Sequence, residues 1–180
     1  MAKNLHILIS GPSGSGKTTL ARYFIEKGEN AVDGDKAIGM WIDARGSRVR
    51  PDYERLGKRI NEWAEKRNLR WVCDEKKLEK LLRKNEGKEL YIFGGPVPKD
   101  LKKFDRLYYL RIGGKRLLNR IAKRLKDKNS YHKYGATKHQ RDLILAALDQ
   151  NHKKAANMGY SMINASGSLS SIYRNIVRHG

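Results

Sequence analysis

Two rhythms of apolar residues alternate along the chain. Short apolar runs at Asn4 to Ser10, Asn30 to Asp33, Leu69 to Cys73, Glu89 to Phe93, Asp105 to Ile112 and Tyr160 to Asn164 have the length and β-branched or aromatic content of buried strands. Between them, apolar positions recur at three- and four-residue spacing. This predicts helices over Thr18 to Lys27, over a segment opening at Pro51, and over one opening after Asp74 with Leu78, Leu81 and Leu82. The same spacing predicts helices over Lys115 to Lys126, Gln140 to Met158 and Ser168 to Val177. Gly28 suits a helix C-cap and Asp74 an N-cap. Strands alternating with helices imply a mostly parallel sheet covered on both faces.

Some segments carry weaker signals. Tyr53, Leu56, Ile60 and Trp63 share helical spacing and read as core packing, with Arg55, Lys58 and Arg59 on the other face, where they can line a substrate pocket. In the second-last helix Leu143, Leu145, Ala146 and Leu148 supply the apolar positions. Lys36 to Arg50 reads as a loop or short insertion. Trp41 with Arg45, Arg48 and Arg50 either clamps an anionic or cyclic substrate or forms a basic hairpin with Trp41 half buried. From Asp127 to His139 the periodicity fails and the sequence turns polar, as expected of a lid between two helices.

The junction after the first run carries the chemistry. Gly11-Pro12-Ser13-Gly14-Ser15-Gly16-Lys17-Thr18-Thr19 matches G-x-x-x-x-G-K-[ST], with a strand before it and a helix after it. Gly11, Gly14 and Gly16 let main-chain N–H groups approach an anion, joined by those of Ser13, Ser15 and Thr19 and by the helix N-terminus. Lys17 places a cation on β- and γ-phosphates, and Thr18 is the expected magnesium ligand. ATP with Mg2+ is the expected ligand.

Asp33-Gly34-Asp35 follows the second predicted strand. Two carboxylates at this spacing can face one cleft, Asp33 toward magnesium and Asp35 toward a substrate hydroxyl, although an ordinary Asp-Gly turn has the same sequence. Gly94 and Gly95 end the Glu89 to Phe93 run, where they either open space for substrate above a sheet or make a tight turn. No acidic residue follows Phe93 directly, so Asp33 takes the place of the usual second magnesium carboxylate. Arg116, Arg120, Lys123 and Arg124 occupy the polar side of the Lys115 to Lys126 helix. Beside a triphosphate they would neutralise transition-state charge, and a helix wet on one side has the same pattern.

Composition narrows the classes. The 180 residues fit one domain, and 39% apolar with 32% charged content is globular. Cys73 is the only cysteine, which excludes an intramolecular disulfide and a thiolate metal cluster. The five histidines show no H-E-x-x-H spacing. No stretch has membrane-spanning length or signal-peptide form, so a cytoplasmic location is expected. The net charge is +20, and residues 99–141 hold 15 basic against 3 acidic residues. That segment either attracts nucleotides or nucleic acid, with Tyr131 and Tyr134 set among its lysines, or is a solvated lysine-rich surface.

The phosphate loop at Gly11 to Thr18, Asp33 with Asp35, the Gly94-Gly95 strand end and the Arg120/Arg124 helix before a lid resemble the shikimate, gluconate and nucleoside-monophosphate kinase group. The resemblance implies an α/β fold with a five-stranded parallel sheet of order 2-3-1-4-5, and a lid over residues 127–139. By resemblance to shikimate kinases, Asp33 is the magnesium-side aspartate, Asp35 the substrate-side one, and Gly94 and Gly95 contact substrate. Arg120, with Arg124 or Arg141, would clamp phosphate, and Ala165-Ser166-Gly167 would cradle adenine. The expected activity is transfer of the ATP γ-phosphate to a small hydroxyl or nucleoside monophosphate. A 5′-hydroxyl polynucleotide kinase and a slow ATPase acting through conformational change are the alternatives.

Overall fold

The computed structural model describes residues 5–56, 59–126 and 137–178. Strand β1 (Leu5–Ser10) lies at the centre of a five-stranded, wholly parallel sheet with β2 (Ala31–Asp33), β6 (Glu89–Phe93), β7 (Arg106–Arg111) and β8 (Ser161–Asn164), in the order β2-β6-β1-β7-β8. Numbered within this sheet alone, that order is 2-3-1-4-5, as the resemblance implies.

The pleat explains why the central runs are apolar at every position. In β1, Ile7 and Ile9 point into one core while Leu8 points into the other, and in β6 Tyr91 and Phe93 oppose Leu90 and Ile92 in the same way. On the first face lie α1 (Lys17–Glu26), α6 (Gly114–Lys126), the N-terminal part of α7 (Lys138–Asn157) and α8 (Leu169–Arg178), through Leu20, Phe24, Leu117, Ile121, Ile144, Leu148, Ile172 and Ile176. The opposite face is covered by α2 (Gly34–Ile38), α5 (Glu75–Lys84) and the end of α7, through Ile38, Leu78, Leu82 and Ala155. Phe24 holds the first layer together, with edge-on ring contacts to Tyr91 at 4.8 Å, Phe93 at 4.9 Å and Tyr173 at 4.8 Å.

A second, antiparallel sheet departs from the expected pattern. Residues 36–50 are not a loop: α2 continues to Ile38, and β3 (Gly39–Ile42) and β4 (Arg48–Val49) form a hairpin with Trp41 half buried. The hairpin alternative for this stretch therefore holds. Strand β5 (Arg70–Cys73) pairs with β3 to give the order β4-β3-β5, outside the parallel sheet. The hairpin loop closes on Asp43, whose carboxylate accepts the main-chain N–H groups of Arg45 at 2.9 Å and Ser47 at 2.8 Å.

The segment after Pro51 divides into α3 (Tyr53–Leu56) and α4 (Ile60–Lys66). Leu56 is buried, but Tyr53 is 58% exposed and so is not core. Asp74 caps α5 as expected, accepting from the Lys77 main-chain N–H at 3.2 Å. Residues 127–136 of the expected lid, with Tyr131 and Tyr134, lie outside the described residues. Its last two positions, Lys138 and His139, are instead helical, because Thr137 and Gln140 form a reciprocal capping box that starts α7. Leu143 is 49% exposed, and Ile144 with Leu148 carries the buried side of α7 in its place. No helix among the described residues is long and apolar enough to cross a membrane.

Candidate active site

Strand register brings the predicted residues to one edge. Ile9 pairs with Phe93, which pairs with Asp33, so the chain leaves β1, β6 and β2 at one level toward Gly11, Gly94 and Gly34. Gly94 N–H extends the ladder to Ile9 O at 2.8 Å. This is the carboxyl edge of a parallel sheet, where ligands of open α/β folds bind.

The phosphate loop turns at Pro12, whose carbonyl accepts from Ser15 N–H at 3.1 Å. Gly11, Gly14 and Gly16 have φ of +156°, +86° and +102°. Gly16 supplies the left-handed residue that starts α1, and a Cβ there would lie 3.2 Å from Arg120 Nη1. Lys17 folds over the loop, its Nζ donating to Gly11 O at 2.7 Å and Pro12 O at 2.9 Å. Burial pushes its pKa down to about 8, against the pull of Asp35 and Asp33, with the Arg124 guanidinium adding to the effect of burial. Ser15 is buried, while Ser13, Thr18 and Thr19 are exposed at the mouth.

Thr18 Oγ1 stands 3.5 Å from Asp33 Oδ2, which brings together the two expected magnesium ligands. A hydroxyl and a single carboxylate suit a hard cation that completes its shell with water and substrate phosphate oxygens. Among the described residues no group of three His, Cys, Asp or Glu side chains could hold a metal ion by itself. The other Asp33 oxygen caps α2 by accepting Asp35 N–H at 3.1 Å. The Asp-Gly-Asp sequence thus forms a helix cap, with the second Asp33 oxygen left facing Thr18.

Asp35 faces the same cleft. A Cβ on Gly94 would lie 2.9 Å from Lys17 Cε and 3.8 Å from Asp35 Oδ2, so the absence of a side chain at Gly94 leaves room for both. Gly94 and Gly95 have φ of +73° and +83°, and their backbone packs on Gly34, where a Cβ would meet Gly94 O at 2.4 Å. The second Asp35 partner was not legible in the sequence: Trp71 Nε1, on β5, donates to Asp35 Oδ1 at 3.0 Å. No local motif points to it, because 36 residues separate the pair.

Arg120 reaches the loop from α6, but its contacts are carbonyls. Its guanidinium donates to Ser15 O and, at 2.8 Å, to Ala165 O, tying the phosphate loop to the Ala165-Ser166-Gly167 turn after β8. Arg124 Nη1 approaches Ser13 Oγ at 3.4 Å. Burial depresses both guanidinium pKa values, and Arg116 adds to it for Arg120. Arg141 stands one turn into α7, its N–H bonded to Thr137 O at 3.2 Å. Arg55 and Arg59 line a cavity of about 320 Å3 on α3 and α4 with Trp63, Lys66 and Arg67, the Arg67 guanidinium lying 5.1 Å from the Trp63 ring centre.

No protein-family model and no curated protein matches the chain. Solved structures match over nearly its full length. A deoxyadenosine kinase from M. mycoides with bound dATP is 14% identical at a TM-score of 0.54, covering 97% of this chain and 98% of that one. A shikimate kinase from Bacteroides thetaiotaomicron is 17% identical at 0.56, with 97% of each chain covered. The chain has the phosphate-loop kinase fold. A shikimate kinase from Acinetobacter baumannii in complex with shikimate, 14% identical at 0.55 and covering 99% of this chain and 96% of that one, has this fold as well. Within the phosphate-loop kinase fold, the antiparallel sheet carrying Trp41 and Trp71 stands over the Asp35 side of the cleft, joined to it by the Trp71–Asp35 bond.

Proposed function

We propose that the chain is a phosphotransferase that moves the γ-phosphate of ATP to a small hydroxyl or nucleoside monophosphate acceptor. The observation that carries this is the grouping of Lys17, the Thr18–Asp33 pair and Asp35 around the Gly94 backbone on one sheet edge. Support comes also from the kinases that share the fold, which include a shikimate kinase in complex with shikimate and a deoxyadenosine kinase with bound dATP.

In this reading the main-chain N–H groups of residues 13–19 cradle the phosphates, and Lys17 exchanges its two carbonyl partners for β- and γ-oxygens. Thr18 and Asp33 would hold magnesium, which when bound would supply further positive charge at those oxygens. Asp35 orients the acceptor hydroxyl and takes its proton as the acceptor oxygen bonds to the γ-phosphorus, the bond to the β-bridging oxygen breaks and ADP leaves. Arg120 holds the loop by its backbone and presents its remaining N–H groups to the phosphates. With a phosphate acceptor the nucleophile is already anionic, so Asp35 contributes orientation alone.

Turnover of the Asp35→Asn variant tests the assignment. With a hydroxyl acceptor, kcat falls by about 10²-fold or more while ATP affinity stays near that of the wild type. Unchanged turnover removes Asp35 from the chemistry. A second reading keeps the same cleft but takes the 5′-hydroxyl of an oligonucleotide, favoured by α6, which carries Lys115, Arg116, Arg120, Lys123, Arg124 and Lys126 with no acidic residue. It requires oligonucleotide affinity that falls steeply with salt.

A further inference from the structure

Asp35 is exposed on the second residue of α2, and an exposed carboxylate turns freely about its side-chain bonds unless something holds it. Trp71 holds it. The indole Nε1–H donates to Oδ1 at 3.0 Å, while Oδ2 faces Gly94 and the Lys17 side chain. One oxygen is anchored, and the other is left for a substrate proton.

The surroundings are shaped to place that indole. Trp71 pairs across β5 and β3 with Trp41, and their rings meet at 4.9 Å with planes 53° apart. Gly39, two residues before Trp41, backs the ring: a Cβ there would lie 2.0 Å from Trp71 Cζ2, so any larger residue would drive the indole off its site. The other edge strand of the same small sheet, β4, reaches the start of α5, where Arg48 stands 3.7 Å from the capping Asp74. A half-buried tryptophan needs a partner for its N–H, and here that partner is the carboxylate on the acceptor side of the cleft.

We propose that Trp71 is a positioning residue for phosphoryl transfer, acting through Asp35: its N–H fixes the carboxylate so that Oδ2 meets the acceptor hydroxyl. The proposal rests on the phosphotransferase reading with a hydroxyl acceptor. It implies that the antiparallel sheet, rather than the strands that carry the phosphate loop, sets the geometry of the base. The contacts of Trp71 are with Asp35 and with Trp41 on the antiparallel sheet, so its loss alters the chemical step without altering ATP binding.

The experiment has two arms on the full chain. In the first, the three indole N–H resonances of nitrogen-15-labelled protein are recorded, with the Trp71 signal identified by its loss in Trp71→Phe. Asp35→Asn moves the Trp71 signal and leaves those of Trp41 and Trp63 in place. A Trp71 signal unmoved by Asp35→Asn overturns the proposal whatever the enzymology. In the second arm, Trp71→Phe lowers kcat about tenfold with the acceptor KM within about twofold of the wild type, and has no further effect in an Asp35→Asn background. Equal losses in both backgrounds, or a change confined to KM, overturn the positioning role and leave the phosphotransferase reading standing. A shifted resonance in a chain that transfers no phosphate to any acceptor overturns both.

Discussion

Replacing Gly94 with alanine, with Gly28→Ala as its control, isolates the close approach on which the site depends. Both glycines are left-handed, at φ +73° and +85°, so alanine meets the same backbone cost of about 1–2 kcal/mol at either position. Their surroundings differ. A Cβ at Gly28 meets nothing within 4 Å, whereas at Gly94 it lies 2.9 Å from Lys17 Cε and 3.3 Å from Cδ. The lysine stem must therefore move by several tenths of an ångström, taking Nζ away from the Gly11 and Pro12 carbonyls and from the phosphates it is proposed to hold. Thermal unfolding should report a loss of about 2–8 °C for each variant, since 1 kcal/mol corresponds to about 2–4 °C in a domain of this size. Steady-state turnover separates them: Gly28→Ala keeps wild-type kcat, and Gly94→Ala loses about 10²-fold, the scale of an ångström-sized misplacement at a reacting centre. Equal activity of the two variants would refute the reasoning, because strain would then be the whole effect and the gap above Gly94 would have no role in holding Lys17.

Other predictions follow from single contacts. Lys17 in the free protein has a pKa near 8 and is protonated below it, while bound phosphates hold the proton; ATP affinity measured by calorimetry should therefore fall about tenfold from pH 7 to pH 9, with proton uptake at the higher pH. Flat affinity over that range contradicts the buried cation. Arg120→Lys cannot serve Ser15 O and Ala165 O together from a single ammonium, so it should weaken ATP binding and lower the unfolding temperature by a few degrees, about 1 kcal/mol of net stability; a variant with both properties of the wild type removes the clip between the two loops. Phe24→Ala deletes the ring shared by Tyr91, Phe93 and Tyr173 and should cost about 3–5 kcal/mol in denaturant unfolding; a loss under 1 kcal/mol would mean that the layer repacks.

The parallel sheet and the phosphate loop were legible because their signals are local. β1 and β6 are apolar at successive positions since both sheet faces are buried, and the loop motif lies in nine adjacent residues. Asp33 and Asp35 were legible as a pair, although the cap that Asp33 gives to Asp35 N–H is a property of the fold. The antiparallel sheet was not legible as a sheet. Strands of two to four residues have no measurable period, and β3 pairs with β5 across 28 to 34 residues, past the intervening β4 and two helices. Trp71 was missed for the same reason. Its partner is fixed by tertiary register, and a tryptophan in a short strand carries no sign of the carboxylate it meets. Arg120 was singled out from the basic side of α6 by the resemblance to shikimate kinases, yet its hold on Ser15 O and Ala165 O is a tertiary contact across 105 and 45 residues.

Phosphoryl transfer to a small acceptor is tested by following label from γ-labelled ATP, with magnesium, to a panel of small polyols and hydroxy acids, nucleoside monophosphates and 5′-hydroxyl oligonucleotides. A labelled small product should form mole for mole with ADP and be lost in Lys17→Met. Label released only as free phosphate, or found only on oligonucleotides, would contradict that transfer.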